Sequence, residues 1–335
     1  MRLSHVVLCL GLGFGIALAT VMPALAQQRT APTPTPRPAA PGQPPASRPA
    51  ARPPAATAAA ADLAFGAYQR GQYLTAMREA TQRVETAPDA VTMTLLGELH
   101  ANGLGVPQND QKALGWYRLA ADRGDRNAIF AIGMMHVDAR AGLVRDPAAV
   151  KALFERAAAL GHPAAGYNLG IMAMSGQGGP ADAAQAARWF QSSADLGNAD
   201  AQYALAVLLK DGNGVPADPV RAADYMAKAA RQDLVEAEID YGVMLFNGQG
   251  VAKDEAAAAR LFRRAALRGN PLAMNRYARL LASGRGVAAD PQAAAQWHTA
   301  ARLLGAEDAW LSDFVAKLDP VQREAAERGA RIWLR

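Results

Sequence analysis

Asp146, Asp182, Asp218, Asp254 and Asp290 stand 36 residues apart without a slip, and Gly142, Gly178, Gly214, Gly250 and Gly286 keep the same spacing. A fixed period of this length identifies one supersecondary unit copied in tandem, each copy too small to bury its apolar face alone. Gly105 extends the glycine series upstream at a spacing of 37, which places one inserted residue between Gly133 and Gly142. A bulky column holds the same phase through Tyr117, Phe154, Phe190, Met226, Phe262 and His298. Gly124, Gly161, Gly197, Asp233, Gly269 and Gly305 end the units, so six copies run over 90–305.

Each copy reads as two helices. The first is seen in Ala201-Gln202-Tyr203-Ala204-Leu205-Ala206-Val207-Leu208-Leu209, apolar around most of its circumference and so in need of cover on several sides. Gly97, Gly133, Gly170, Ala206, Gly242 and Ala278 share one position within it. Glycine costs about 1 kcal/mol against alanine inside a helix, so its recurrence argues for close packing. A Gly-x-Gly pair such as Gly212 and Gly214 stops the helix, because glycine accepts the left-handed turn of a helix C-terminus. The periodic aspartate then caps the second helix, and Asp-Pro at 146, 218 and 290 sets proline at its first position. That helix pairs bulky residues such as Trp189-Phe190 with small ones such as Ala229-Ala230, which lets hairpins nest.

Leu96-Gly97, Gly103-Leu104-Gly105-Val106, Lys112-Ala113, Trp116-Tyr117, Ala120-Ala121 and the closing Gly124 resemble the SEL-one-like repeat (SLR), a relative of the tetratricopeptide repeat. The resemblance implies an all-α fold, a right-handed α-solenoid of stacked helix-turn-helix units that binds other proteins, often in bacterial envelope signalling or assembly. Unit two departs from the pattern: Asp138 to Gly142 lacks the first loop glycine and carries the inserted residue, so that turn is expected to bulge. His100 and His136 stand where the family usually has an aromatic, and the cysteine pairs of some members are missing. The flanks read as end caps, a tetratricopeptide-like hairpin over 62–89 and two helices over 306–335, with Asp319 capping the second.

The formal net charge of +5 belongs to the N-terminal region. No Asp or Glu precedes Asp62, whereas Arg2, Arg29, Arg37, Arg48 and Arg52 do; from Asp62 onward 30 basic residues meet 30 acidic ones. A neutral array lacks the long-range attraction for phosphate, so no nucleic-acid partner is expected. Residues 1–26 read as a signal peptide, with Arg2, an apolar run over 6–21 too short to span a bilayer, and Ala24-Leu25-Ala26 as cleavage site. Cleavage removes Cys9, the single cysteine, and with it any thiol chemistry. A periplasmic or secreted protein follows, not integral to a membrane. Residues 27–61 hold ten of the 21 prolines and read as a disordered, solvated Pro/Ala-rich tether whose arginines could touch an anionic surface.

The sequence contains no G-x-S-x-G, H-E-x-x-H or P-loop motif, and no catalytic residue, cofactor or metal is expected. His100 and His136 occupy equivalent positions in adjacent units and could bind a metal or sense pH, or simply fill the slot held elsewhere by Ala173, Leu209, Leu245 and Leu281. His162 and His298 are expected to lack partners. The candidate partner-binding surface is the first-helix stripe of Phe130 and Met134, Tyr167 and Ile171, Tyr203 and Val207, Ile239 and Val243, ending in Asn275 and Arg279. Such a stripe suits an amphipathic helix or extended peptide; the competing reading packs these side chains against the next repeat. The expected function is a non-enzymatic scaffold or regulator whose protein partner would be a sensor's external domain or an envelope assembly component. The alternative is an envelope enzyme or cell-wall polymer binder with a composite site in the concave groove.

Overall fold

The computed structural model describes residues 63–334, so the segments read as signal peptide and tether lie outside the described residues. All regular structure among the described residues is helical. Helix α1 over 63–69 and α2 (Tyr73–Thr86) precede six hairpins. These pair α3 (Ala90–Asn102) with α4 (Asp110–Asp122), α5 (Arg126–Val137) with α6 (Pro147–Ala159), and α7 (Pro163–Ser175) with α8 (Ala183–Asp195). Next come α9 (Ala199–Asp211) with α10 (Pro219–Arg231), α11 (Val235–Asn247) with α12 (Glu255–Leu267), and α13 (Pro271–Ser283) with α14 (Pro291–Leu303). Each helix packs on its neighbours in sequence, which makes the array an α-solenoid; α15 (Ala309–Ala316) and α16 (Pro320–Ala330) then close over α13 and α14.

The helix boundaries follow from capping chemistry. Asp146, Asp182, Asp218, Asp254 and Asp290 each accept a backbone N–H from the first turn of the helix that follows, and Asn109 does the same in the first unit. The first helices are capped from an equivalent column: Asp89, Asp125, His162, Asn198 and Asn270 accept the N–H three residues on, while Leu234 holds that place without a side-chain cap. Each such cap stabilises its helix by about 1 kcal/mol.

The small column and the bulky column prove to be complementary. A Cβ placed on Gly97 would sit 2.5 Å from the Tyr117 ring, and one on Gly133 or Gly242 would sit 2.6 Å from Phe154 or Phe262. Where the bulky residue is Met226 or His298 instead, the register puts Ala206 or Ala278 opposite. Combined side-chain volume at this contact is therefore held nearly constant from repeat to repeat, as close packing demands. The second glycine of each loop serves a different purpose. Gly250, at φ 67°, lies so close to the Pro219 carbonyl in the first turn of α10 that any Cβ would collide with backbone. Gly214 and Gly286 meet Ala183 and Glu255 in the same way, so in units four to six this residue fastens the unit to the one before, whereas Gly142 and Gly178 sit more loosely.

Unit two differs as its sequence leads one to expect. Without the first loop glycine, left-handed conformations fall on Ala139, at φ 53° just before a 3-10 turn over Arg140–Gly142, and on Ala141, at φ 52° within it. The extra residue brings Arg140 back onto unit one, where it pairs with Asp110 at 2.5 Å and donates to the Ala101 carbonyl at 2.7 Å.

Candidate partner-binding face

The first helices α3, α5, α7, α9 and α11 present one open face, because their other sides pack on the second helices within and before each unit. The stripe residues do not share one environment on it. Phe130 is half-buried, its ring stacked 4.2 Å from His162 and 5.3 Å from Phe154. The Tyr167 ring lies 5.8 Å from Phe190. The Tyr203 hydroxyl donates to Asp240 Oδ2 of the next repeat at 3.0 Å. Ile239, at 4% exposure, is drawn into the core and closed to any ligand. Phe130 and Tyr167 thus pack on rings of their own hairpin, and of these contacts only the Tyr203 bond reaches the next repeat.

The column one turn further on stays more open. Ile171 is 39% exposed, and Met134, Val207 and Val243 are half-buried with one side on the core. A cavity of about 320 Å³ opens beside Phe130 and Met134, bounded by Thr94, Glu98, Asp138, Arg140 and His162. It lies where the inserted residue of unit two displaces the loop, and it joins the start of the stripe.

The far end of the stripe is polar, its first residue buried and its last exposed but tied down. Asn275 is 4% exposed, and Arg279 is held by Asp308 through two bonds of 2.7 Å beneath the Trp310 ring. His298, expected to stand alone, is buried with both ring nitrogens engaged: Nδ1 is 2.8 Å from Asn275 Oδ1, and Nε2 is 3.0 Å from Ser312 Oγ. Because the Asn275 amide nitrogen donates to the Ala306 carbonyl, its oxygen faces the imidazole; Nδ1–H donates, and Nε2 accepts from the serine. Ser312 lies on α15, so this chain latches the terminal helices to the last repeat. Its signal was beyond reach of the repeat pattern, since Ser312 has no counterpart in the units.

His162 is the second correction. Its Nδ1 accepts the Ala165 N–H at 3.2 Å and caps α7, which requires the neutral ring. Burial, followed by the nearby Arg126 charge, pushes its pKa down from 6.5 to about 4, while Asp125 acts the other way. The unfolded chain therefore takes up a proton near pH 6.5 that the folded chain refuses until about pH 4. Stability is expected to be intact above that window and to fall as pH drops through it; burial pushes His100 and His298 in the same direction. His162→Asn, copying Asn198 and Asn270, should flatten the decline in melting temperature between pH 6.5 and 4. An unchanged slope would show that His162 is not its source.

His100 is 7% exposed and His136 bonds through Nδ1 to the Val144 carbonyl at 3.0 Å. Among the described residues, no group of three or more His, Cys, Asp or Glu is arranged to hold a metal ion. No described helix is long and apolar enough to cross a membrane. Sequence reading passed over the carboxylates of this face: Asp240 bonds the Tyr203 hydroxyl, Glu236 and Asp211 act on it from further off, and together with its burial they push the phenol up. The repeat register could have located Asp211, whose position is exposed in the other units, but not Asp240, whose position is buried or half-buried in them.

Comparison with known proteins agrees with this geometry. The Sel1 repeat model matches residues 90–125, 127–162, 163–198, 199–234, 235–270 and 271–305. A Sel1 repeat protein from Oxalobacter formigenes is similar at 28% identity over 73% of this chain and 99% of its own, with a TM-score of 0.62. The uropathogenic Escherichia coli protective antigen c5321, which displays an SLR fold, is similar in fold at 24% identity, over 83% of this chain and 68% of its own, with a TM-score of 0.52. No curated protein matches the chain. Sel1 repeat proteins are generally protein-interaction scaffolds and typically non-catalytic. With six consecutive units matched over well over half its length, the chain belongs to the Sel1 repeat family.

Proposed function

We propose that the protein is a non-enzymatic scaffold or regulator of the bacterial cell envelope, exported by residues 1–26, tethered by 27–61, and holding a segment of a partner protein along the first-helix face. The observation that carries this reading is the open column of Met134, Ile171, Val207 and Val243, which runs across four repeats and begins at the 320 Å³ cavity. Apolar side chains presented one per repeat allow binding energy to accumulate over a long surface, with little dependence on any single polar group. A sensor's external domain or an envelope assembly component would supply such a segment.

Because Phe130 and Tyr167 pack on neighbouring rings, the test uses the open column. Ile171→Ser, Val207→Ser and Val243→Ser together should keep the helical spectrum while reducing capture of envelope proteins by about tenfold, as loss of a few buried anchors does in other interfaces. Capture unchanged in a folded triple variant would contradict the reading.

A further inference from the structure

The balance of 30 basic against 30 acidic residues conceals a division of charge between the two faces. Helices α3, α5, α7, α9, α11 and α13 carry six carboxylates against four cations. Of those cations, Arg126 is spent on the Leu160 and Gly161 carbonyls, Lys210 lies 3.8 Å from Asp211, Arg279 is held by Asp308, and Arg276 is half-buried with Asp240 nearby. The second helices α4, α6, α8, α10, α12 and α14 reverse the sign, with twelve Lys and Arg against six Asp and Glu. One carboxylate of the first set, Glu238, is buried and turned to Arg264 of α12 and to Arg268 just past its end; the others lie on the first-helix face or at its edge.

These charges border the apolar column. Glu98 and Asp138 stand at the cavity beside Met134, where Arg140 is already paired with Asp110, while Asp240 bonds the Tyr203 hydroxyl and Glu236 and Asp211 act on it from further off. An apolar track with carboxylates along it repels acidic ligands and attracts basic ones, and like-charge juxtaposition is the stronger discriminator. We infer that the occupant of the first-helix face is a cationic amphipathic segment of another protein, with Lys or Arg interleaved among apolar residues. This rests on the reading of that face as the binding surface. Apolar side chains fill the cavity and the Ile171 to Val243 column, while the basic ones meet Asp138, Asp211 and Glu236.

The probes are two labelled 14-residue peptides, one alternating Lys with Leu and the other Glu with Leu, measured by fluorescence anisotropy against the full protein. The lysine peptide should bind at least about tenfold more tightly, and its advantage should shrink as salt rises. Asp138→Lys with Asp211→Lys should weaken it by about tenfold; both sites end first helices, where a cation suits the helix dipole, so the fold is retained. Asp122→Lys with Glu155→Lys adds the same charge to the second-helix face and should change affinity less than about twofold. Equal weakening by the two pairs would overturn the inference, since net charge alone would then explain binding. Preference for the glutamate peptide, lost in the Ile171, Val207 and Val243 serine variant, would overturn the cationic assignment while leaving the binding face in place. Binding of neither peptide overturns the inference as well, and the extract capture experiment then judges the face by itself.

Discussion

Changing Gly250 to valine is expected to destabilise the protein by about 3 kcal/mol or more, read as a lower denaturant midpoint. Two costs add. A β-branched residue at φ 67° pays about 1–2 kcal/mol for the left-handed conformation. Its Cβ would also collide with the Pro219 carbonyl, which sits in the first turn of α10 and cannot yield as a side-chain tip would. The loss should be felt between units four and five, because Gly250 is where the unit-five loop rests on its predecessor. Gly269→Val provides the contrast: it has a similar left-handed φ of 87°, but a Cβ there meets nothing within 4 Å. It should therefore cost only the conformational part. Equal losses at the two sites would refute the role of Gly250 as the fastening point between repeats.

The second large effect concerns the complementary columns. Gly242→Ala should cost about 1–3 kcal/mol despite alanine's better helix propensity, because its methyl would stand 2.6 Å from the Phe262 ring. Phe262→Met alone should cost about 1–2 kcal/mol by leaving a void opposite glycine. Combined, they recreate the Ala206 and Met226 pairing that unit four already uses, and most of both losses should be recovered. Urea unfolding of the wild type and the three variants gives the coupling energy. Simple additivity would mean that the two columns do not see each other.

Both predictions begin from positions that the sequence alone brings into register. The phase of the aspartates located five of the six second-helix caps, missing Asn109 before α4, and the loop glycines located the stops outside unit two, because capping and left-handed turns depend on single residues at fixed offsets. The inserted residue in unit two was likewise legible, although its consequence, Arg140 folded back onto Asp110, required coordinates. Register was less informative about the binding face. It put Ile239 in the same column as Tyr203, yet one is 4% exposed and the other half-buried. How deeply a side chain sinks depends on the size of its neighbours in the next repeat. His298 illustrates the same limit. Its column holds aromatic residues or Met in the other units, and Asn275 together with Ser312 arriving from the terminal helices makes a buried imidazole tolerable there. Charge division between the faces is carried by the sequence too, but it emerges only once each helix is assigned to its side.

The most direct test of the first-helix face as the binding surface is site-specific photocrosslinking in intact cells. A benzophenone amino acid at Ile171, 39% exposed on α7, is compared with one at Leu119, 44% exposed on the second helix α4. The account predicts a discrete crosslinked partner from position 171 and none from 119. Crosslinks of the same protein from 119 alone, or equally from both, would contradict it.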